Sequence, residues 1–178
     1  MPYTSPATQT AGAVAAASWA NSIKAATDFL ANPPACRVYH TANQSIPNST
    51  ESTVAFNSER YDTDSMHSTV TNNSRITITT AGLYAVSVSL QFGVDTDYTV
   101  AYAVLRVNGS TQIAYGGVGT WSAALVGPLV SVGTISKFAA GDYVEVRVLQ
   151  ANASAGANNI IASAQGSPEF SACWLGLG

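Results

Sequence analysis

The chain has 178 residues, the usual length of a single domain and enough to bury a core. Hydrophobic residue types make up 47% of it and charged types only 10%, well below the roughly 25% of an average soluble domain. The surface must therefore be covered by Ser, Thr, Asn and Gln or by other chains. With a net charge of −3 and its Lys and Arg scattered, the chain offers no basic surface for nucleic acid or for an acidic membrane.

Residues 1–35 are predicted to form an N-terminal arm and a short helix. Met1–Thr10 is rich in Pro, Thr and Ser, which is typical of an extended arm that orders only against a partner. Residues 12–30 are rich in Ala and predict a helix. The helix should stop at Asn32-Pro33-Pro34, because proline lacks a backbone donor and disfavours a helical residue before it.

The predicted helix carries apolar residues three and four positions apart, which is the spacing of a heptad seam. The seam consists of Ala16, Trp19, Ile23, Ala26 and Leu30. An isolated helix of this length is marginal in water, so the seam needs a surface to cover it. That surface is either other copies of the helix, a docking partner, or the sandwich of the same chain.

Residues 36–178 are predicted to form an all-β domain organised around Arg75–Phe92. In this stretch apolar residues alternate with polar ones, and a turn at Gly82 separates a short strand from a long one. The long strand places five apolar side chains on one face, namely Tyr84, Val86, Val88, Leu90 and Phe92. It is long enough to cross a whole sandwich.

The other strands are expected to pair with or pack on this one. They are predicted at Cys36–His40, Thr53–Asn57, Tyr98–Val107, Thr111–Tyr115, Leu129–Phe138, Tyr143–Gln150 and Glu169–Leu175, with a weak strand at Ile160-Ile161. Asn108-Gly109 is a strong hairpin signal, because both residues tolerate positive φ. Polar loops are predicted at 58–73, 93–97 and 151–166. About eight to ten antiparallel strands without a second helix predict a sandwich.

Two cysteines, Cys36 and Cys173, lie in the first and last predicted strands. They face each other if these strands pair. Two cysteines are too few for a disulfide scaffold, and no spacing is typical of zinc. The interpretation favoured by the sequence is two buried thiols, and a bond between them is the alternative.

The sequence offers little for catalysis, and neither an enzyme nor a cofactor is predicted. The only two histidines, His40 and His67, do not belong to a metal or catalytic motif. Two carboxylate pairs, Asp62/Asp64 and Asp95/Asp97, are weak candidates for a calcium site. Aspartate is also common in turns for its own side-chain hydrogen bonds, which is the alternative. No apolar run approaches the roughly 20 residues of a membrane helix, and no secretory signal is expected.

Several segments resemble the jelly-roll family shared by complement globular heads and tumour necrosis factor. They are AFNSERYD, RITITTAGLYAVSVSLQF, LRVNGSTQIA, FAAGDYVEVRV and SPEFSACWLG, in that order. The resemblance covers about Cys36 to Gly178, and its most specific parts are Gly82/Tyr84 and Gly141-Asp142-Tyr143-Val144. It implies an antiparallel jelly roll that assembles as a homotrimer through apolar outer faces. Tyr98, Val100 and Tyr102, in a strand that is apolar on both faces, are the candidates for that interface.

The N-terminal organisation resembles that of tailed-bacteriophage virion proteins. In these an Ala-rich helix that ends in Asn-Pro-Pro, a CRVYH-type strand and a SERYDTD-type loop precede the sandwich. The resemblance implies a structural virion protein, a capsid or tail decoration or fibre that is assembled in the host cytoplasm. Together the two resemblances imply that residues 1–35 act as an anchor or in trimerisation, with the arm in contact with other virion proteins.

A second hypothesis is a receptor-binding tip for a host-surface carbohydrate or protein. Tyr115 and Trp121 are the candidate contacts, because exposed aromatic rings stack on sugars. Packing in the core or between subunits is the alternative for both residues. A bacterial surface or secreted jelly roll is a more remote possibility.

Overall fold

A computed structural model of the chain describes residues 3–123, 125–162 and 168–178. These residues form one helix and thirteen strands. The elements are α1 (Ala17–Ala31), β1 (Ala35–Tyr39), β2 (Gln44–Ile46), β3 (Ser52–Thr53), β4 (Ser58–Asp62), β5 (Arg75–Thr77), β6 (Gly82–Gln91), β7 (Asp95–Val107), β8 (Thr111–Val118), β9 (Trp121–Ala123), β10 (Leu129–Phe138), β11 (Tyr143–Asn152), β12 (Asn158–Ile160) and β13 (Glu169–Gly176).

Two antiparallel sheets enclose one core. The five-stranded sheet has the order β10-β6-β13-β1-β4. In the six-stranded sheet the order is β3-β11-β7-β8, with β5 also paired to β11 and β9 to β7, while β2 and β12 form a separate ribbon. The predicted antiparallel jelly-roll sandwich is confirmed.

The predicted long strand is β6, and it lies in the five-stranded sheet between β10 and β13. All five apolar side chains predicted for one face are at most 2% exposed. Tyr84 begins the row, and its hydroxyl donates a 2.6 Å hydrogen bond to the Thr80 carbonyl oxygen. Burial raises the pKa of Tyr84 above its ordinary value, with a further contribution from the negative charge of Asp64.

The predicted hairpin at Asn108-Gly109 is confirmed, with φ of 51° and 73° at the two residues. The side chain of Asn108 also ties this turn to the next one. Its amide nitrogen donates to Asp142 over 2.8 Å, and its oxygen accepts from the Tyr143 backbone N–H over 3.0 Å. Two turns at the same end of the six-stranded sheet therefore hold each other.

Several predicted boundaries differ from those in the structure. The strand predicted at Thr53–Asn57 is only β3, although Val54 and Phe56 are fully buried as the pattern indicated. The predicted polar loop at 58–73 begins with β4, and a polar stretch after Tyr39 contains β2. β7 already begins within the predicted loop at 93–97. β8 continues past its predicted end at Tyr115, and β9 follows where no strand is predicted. The predicted loop at 151–166 contains the end of β11 and β12, and its last residues, 163–166, lie outside the described part of the chain.

The two cysteines are neighbours across β1 and β13 but point to opposite faces. In the register Cys36 lies opposite Ala172, and Cys173 lies opposite Ala35. Cys36 is fully buried in the core, whereas Cys173 is exposed, and both are free thiols. The expectation of two buried thiols is therefore wrong for Cys173, because strand alternation turns it outward.

The N-terminal segment lies against its own sandwich. The ring of Phe29 meets Trp174 edge-on with 4.9 Å between centroids, and the ring of Tyr3 lies 5.5 Å from Phe29. The Trp19 indole donates to the Ala7 carbonyl oxygen over 2.8 Å. Part of the arm therefore orders on its own chain without a partner, while Met1 and Pro2 lie outside the described residues. Within the part of the chain that the structure describes, α1 is too short to cross a bilayer.

Candidate self-association surface

Small side chains occupy much of the outer face of the five-stranded sheet at β10, β6 and β13. In β6 the core residues alternate with Ser87 and Ser89, which point outward and are exposed. The strand register places Ser131 and Glu169 on either side of Ser89. It places Gly133 and Ser171 on either side of Ser87 in the same way, so two rows of outward residues, small except for Glu169, cross β10, β6 and β13.

The serine hydroxyls of these rows bond to one another. Ser87 Oγ and Ser171 Oγ are 3.0 Å apart, and Ser131 Oγ donates to Ser89 Oγ over 3.2 Å. The rows form the floor of an open depression of about 460 Å³. Because the hydroxyls satisfy part of their hydrogen bonding within the sheet, covering this face leaves fewer unpaired polar groups.

One end of the same face is apolar. In the register Ile135 lies opposite Ala85, and Ala85 lies opposite Cys173. Ile135 is 64% exposed, and Leu175, two residues beyond Cys173, is 51% exposed. Leu129 is 63% exposed at the opposite end of β10. Large apolar side chains at both ends of a small-residue face are typical of a surface that another protein covers.

A charged cluster borders the depression at β1 and β4. The Glu169 carboxylate is 7% exposed and pairs with the guanidinium groups of Arg37 and Arg60. Arg60 also stacks on Tyr39, with 4.0 Å between its guanidinium carbon and the ring centroid. A carboxylate this buried needs such partners, and here two arginines from neighbouring strands supply them.

The sequence placed the interface on another strand. Of its three candidates, Tyr98 cannot contribute, because it is fully buried in the core and its hydroxyl donates to the Gly93 carbonyl oxygen over 3.0 Å. Val100 and Tyr102 are half-buried in β7 of the six-stranded sheet. An interface through Val100 and Tyr102 stays a prediction.

Of the predicted helix seam, Ala26 is the only buried residue, and it is buried in the structure of a single chain. Trp19 is half-buried, and Ala16, Ile23 and Leu30 are exposed. The aromatic contact of α1 with the sandwich uses Phe29, which lies outside the predicted seam. The helix thus lies on its own domain, as one alternative expected, but it does so with only part of its apolar surface.

The two candidate receptor contacts lie in different surroundings. Tyr115 is 56% exposed, and its ring centroid lies 5.2 Å from that of Tyr102. Trp121 is half-buried against the core, and its indole N–H donates to the Val126 carbonyl oxygen over 3.1 Å. Tyr115 therefore offers an open aromatic surface, whereas Trp121 largely packs within the protein.

The carboxylates of the first acidic pair are used in turns. Asp62 accepts hydrogen bonds from the backbone N–H groups of Asp64, Met66 and His67. Asp64 accepts from the hydroxyls of Thr79 and Thr80. These bonds fit the alternative role of aspartate in turn formation.

The second acidic pair fixes the loop after β11. Asp95 accepts from the side-chain amides of Asn152 and Asn158, and Asp97 accepts from the Ser154 backbone N–H. Burial alone would raise the pKa of Asp95, but its hydrogen bonds outweigh this effect and lower it. Among the described residues, no group of three or more His, Cys, Asp or Glu is placed to hold a metal ion.

Three ionisable side chains lie in or beside the core. Burial raises the pKa of the Cys36 thiol far above its ordinary value, with added repulsion from Asp62 and Glu59, so the thiol stays protonated. Burial lowers the pKa of His40. The His67 ring lies between a Glu59 carboxylate oxygen at 2.9 Å and the Asn73 carbonyl oxygen at 3.2 Å.

No protein-family profile and no curated protein matches this sequence. Solved structures do match its fold. The globular domain of zebrafish complement 1qA superposes with a TM-score of 0.57 at 13% identity, over 82% of this chain and 99% of that one. Murine APRIL gives a TM-score of 0.59 at 10% identity, over 80% and 98%. Eiger TNF from S. frugiperda gives 0.53 at 12% identity, over 82% and 94%.

These likenesses cover nearly the whole length of each neighbour and about four fifths of this chain. The identities are low, so the likeness concerns the fold. The chain therefore has the jelly-roll fold of complement globular domains and tumour-necrosis-factor-like proteins.

Proposed function

We propose that this chain is a structural protein that assembles as a homotrimer through the outer face of its five-stranded sheet. The observation that carries the proposal is the face itself. Its rows of Ser, Gly and Ala let two backbones approach closely, and Leu129, Ile135 and Leu175 supply exposed apolar area. The buried carboxylate of Glu169 is already paired with two arginines, so covering the face would not leave it without a partner.

Three-fold assembly is favoured by the resemblance to complement heads and tumour necrosis factor, whose domains pack as trimers. The low charge of the whole chain, 10% of its residues, also suits a protein with much of its surface covered. In this arrangement the outer face of the six-stranded sheet remains open to solvent.

We further propose that the trimer is displayed on the surface of a bacteriophage particle, as a capsid or tail decoration or fibre. The support is the order of the N-terminal elements, an arm, an Ala-rich helix ending in Asn-Pro-Pro and then β1. The arm would contact other virion proteins. The proposed role is non-enzymatic.

A receptor-binding tip is the second candidate. The Tyr102–Tyr115 ring pair favours it, because Tyr115 presents more than half of its side chain on the sheet that faces outward in the proposed trimer. Binding of the purified trimer to a glycan array, lost in Tyr115→Ala, would support this role. An ordered lattice of trimers on the particle would instead support decoration.

Ser87→Arg is expected to convert the trimer to monomers. Ser87 lies in the middle of the proposed interface and is exposed in the single chain, so arginine fits the folded monomer but places an unpaired charge in the assembly. Light scattering coupled to size exclusion measures the change in mass. Ser110→Arg, in the exposed hairpin turn, is the matched control and should remain trimeric. A trimeric Ser87→Arg protein would contradict the proposed face.

Deletion of residues 1–31 is expected to leave trimers that no longer associate with particles. The deletion removes the arm and α1 but keeps Pro33 and Pro34, whose carbonyl oxygens accept hydrogen bonds from Thr63 and Trp174. Quantitative mass spectrometry of purified virions measures incorporation, and size exclusion measures assembly. Normal incorporation of the truncated protein would show that the anchor lies elsewhere.

A further inference from the structure

The helix α1 uses only one side of its apolar surface to hold the sandwich. Ala26 is buried there, and Phe29 contacts Trp174. Ile23 and Leu30 are 39% and 57% exposed, although they are the largest aliphatic residues of the helix. A substantial part of the apolar surface of α1 is therefore left without a partner in the single chain.

The uncovered residues form a straight strip. Ala16, Ile23 and Leu30 are seven positions apart, and Ala20 and Thr27 lie between them on the adjoining edge. A seven-residue repeat keeps a strip on one side of a helix that pairs with other helices. Trp19 is not part of the strip, because its indole is held by the Ala7 carbonyl oxygen of the arm.

The position of α1 points to other copies of this chain as the partner. Phe29 rests on Trp174, which follows Cys173 in β13. Cys173 belongs to the apolar row with Ala85 and Ile135. Trp174 itself points to the core side of the sheet, so the helix lies at the pole of the sandwich next to the apolar end of the proposed trimer face. Assembly through that face would bring three such helices to the same end of the trimer.

The helix also lacks the features that stabilise an isolated one. It has 15 residues, and its N-cap is Ala16, which makes no side-chain capping hydrogen bond. A helix of this length is marginal in water unless its apolar face is packed. Copies of the same strip would provide that packing, with Ala16, Ala20 and Thr27 small enough for close contact.

We propose that the strip Ala16/Ile23/Leu30 packs against the same strip of the two other copies, so that the helices form a three-stranded bundle at the apolar end of the trimer. This inference rests on the proposed homotrimer. The Ala26 and Phe29 side of each helix keeps its contact with its own sandwich. The helix thus joins the sandwich to the bundle.

Cysteine cross-linking of the full chain tests this arrangement. The exposed thiol is first removed with Cys173→Ser, while Cys36 is kept because it is fully buried. Ile23→Cys is then treated with a short bismaleimide, and Asn21→Cys is the matched control. Successive residues are about 100° apart around a helix, so these two positions point in nearly opposite directions. We expect Ile23→Cys to give a covalent dimer band and Asn21→Cys to give none.

Leu30→Cys, one repeat further along, should cross-link as Ile23→Cys does. Size exclusion of each variant before cross-linking separates the two proposals. Monomers would overturn the trimer and the bundle together. Trimers without a dimer band at position 23, or with equal bands at positions 21 and 23, would overturn the bundle alone.

Discussion

Phe56→Ala is expected to lower the free energy of unfolding by about 3–5 kcal/mol. Phe56 is fully buried, and its ring centroid lies 5.4 Å from that of Phe170 in the five-stranded sheet. The segment before it is bound to the other sheet, because the Val54 N–H donates to the Val146 carbonyl oxygen over 2.9 Å. Removing the ring therefore opens a cavity between the two sheets.

Urea unfolding at a fixed protein concentration measures this change, since self-association adds to apparent stability. Val70→Ala is the control, because Val70 is 86% exposed and its truncation should change stability by less than about 0.5 kcal/mol. A loss below about 1 kcal/mol for Phe56→Ala would contradict the packing of this ring against the core.

Gly82→Ala is expected to cost about 3 kcal/mol or to prevent folding. A Cβ atom at Gly82 would overlap with the Gly176 carbonyl oxygen and with the Trp174 indole. A backbone oxygen cannot rotate away, and the φ of 156° is one that side chains rarely adopt. β6 and β13 would have to separate at the corner where β6 begins.

The control for this substitution is Gly119→Ala, because no atom lies within 4 Å of a Cβ at Gly119. Thermal unfolding by circular dichroism measures both variants. We expect a much lower midpoint for Gly82→Ala and an unchanged one for Gly119→Ala. Equal midpoints would mean that the contact between β6 and β13 at this corner is looser than described.

The parts of the fold that were predicted from the sequence are those where a residue type has few alternatives. The alternation from Tyr84 to Phe92 predicted β6, because a strand with one face in the core excludes polar residues from that face. Asn108-Gly109 predicted a hairpin because both residues accept positive φ. In both places a local rule and the final packing agree.

The edge strands were missed because pairing, and not their own sequence, determines them. β4 contains Glu59, Arg60 and Tyr61, all exposed, and no apolar alternation marks it. It is a strand because it pairs with β1 and because Arg60 reaches Glu169 in β13. β2 is defined in the same way by its pairing with β12.

The proposed trimer face carries no hydrophobic signal in the sequence. The sequence predicts the interface on the most apolar strand, but Tyr98 of that strand is buried in the core, and an interface through its other two candidates stays a prediction. The face proposed above is built from Ser87, Ser89 and Ser131. The small outward residues of β6 and β10 could have indicated it, since small side chains at alternate positions of two strands predict close approach of another surface.

The chain enters and leaves the sandwich at the same pole. The backbone carbonyl oxygen of Pro34 accepts the N–H of Trp174 just before β1, and Lys137 Nζ reaches the Gly178 carbonyl oxygen. The loops at 93–94 and 153–157 lie at the far pole, beyond the ends of β6 and β11. A reporter joined to either terminus would therefore project from one pole, and an epitope grafted into either loop would be presented at the other.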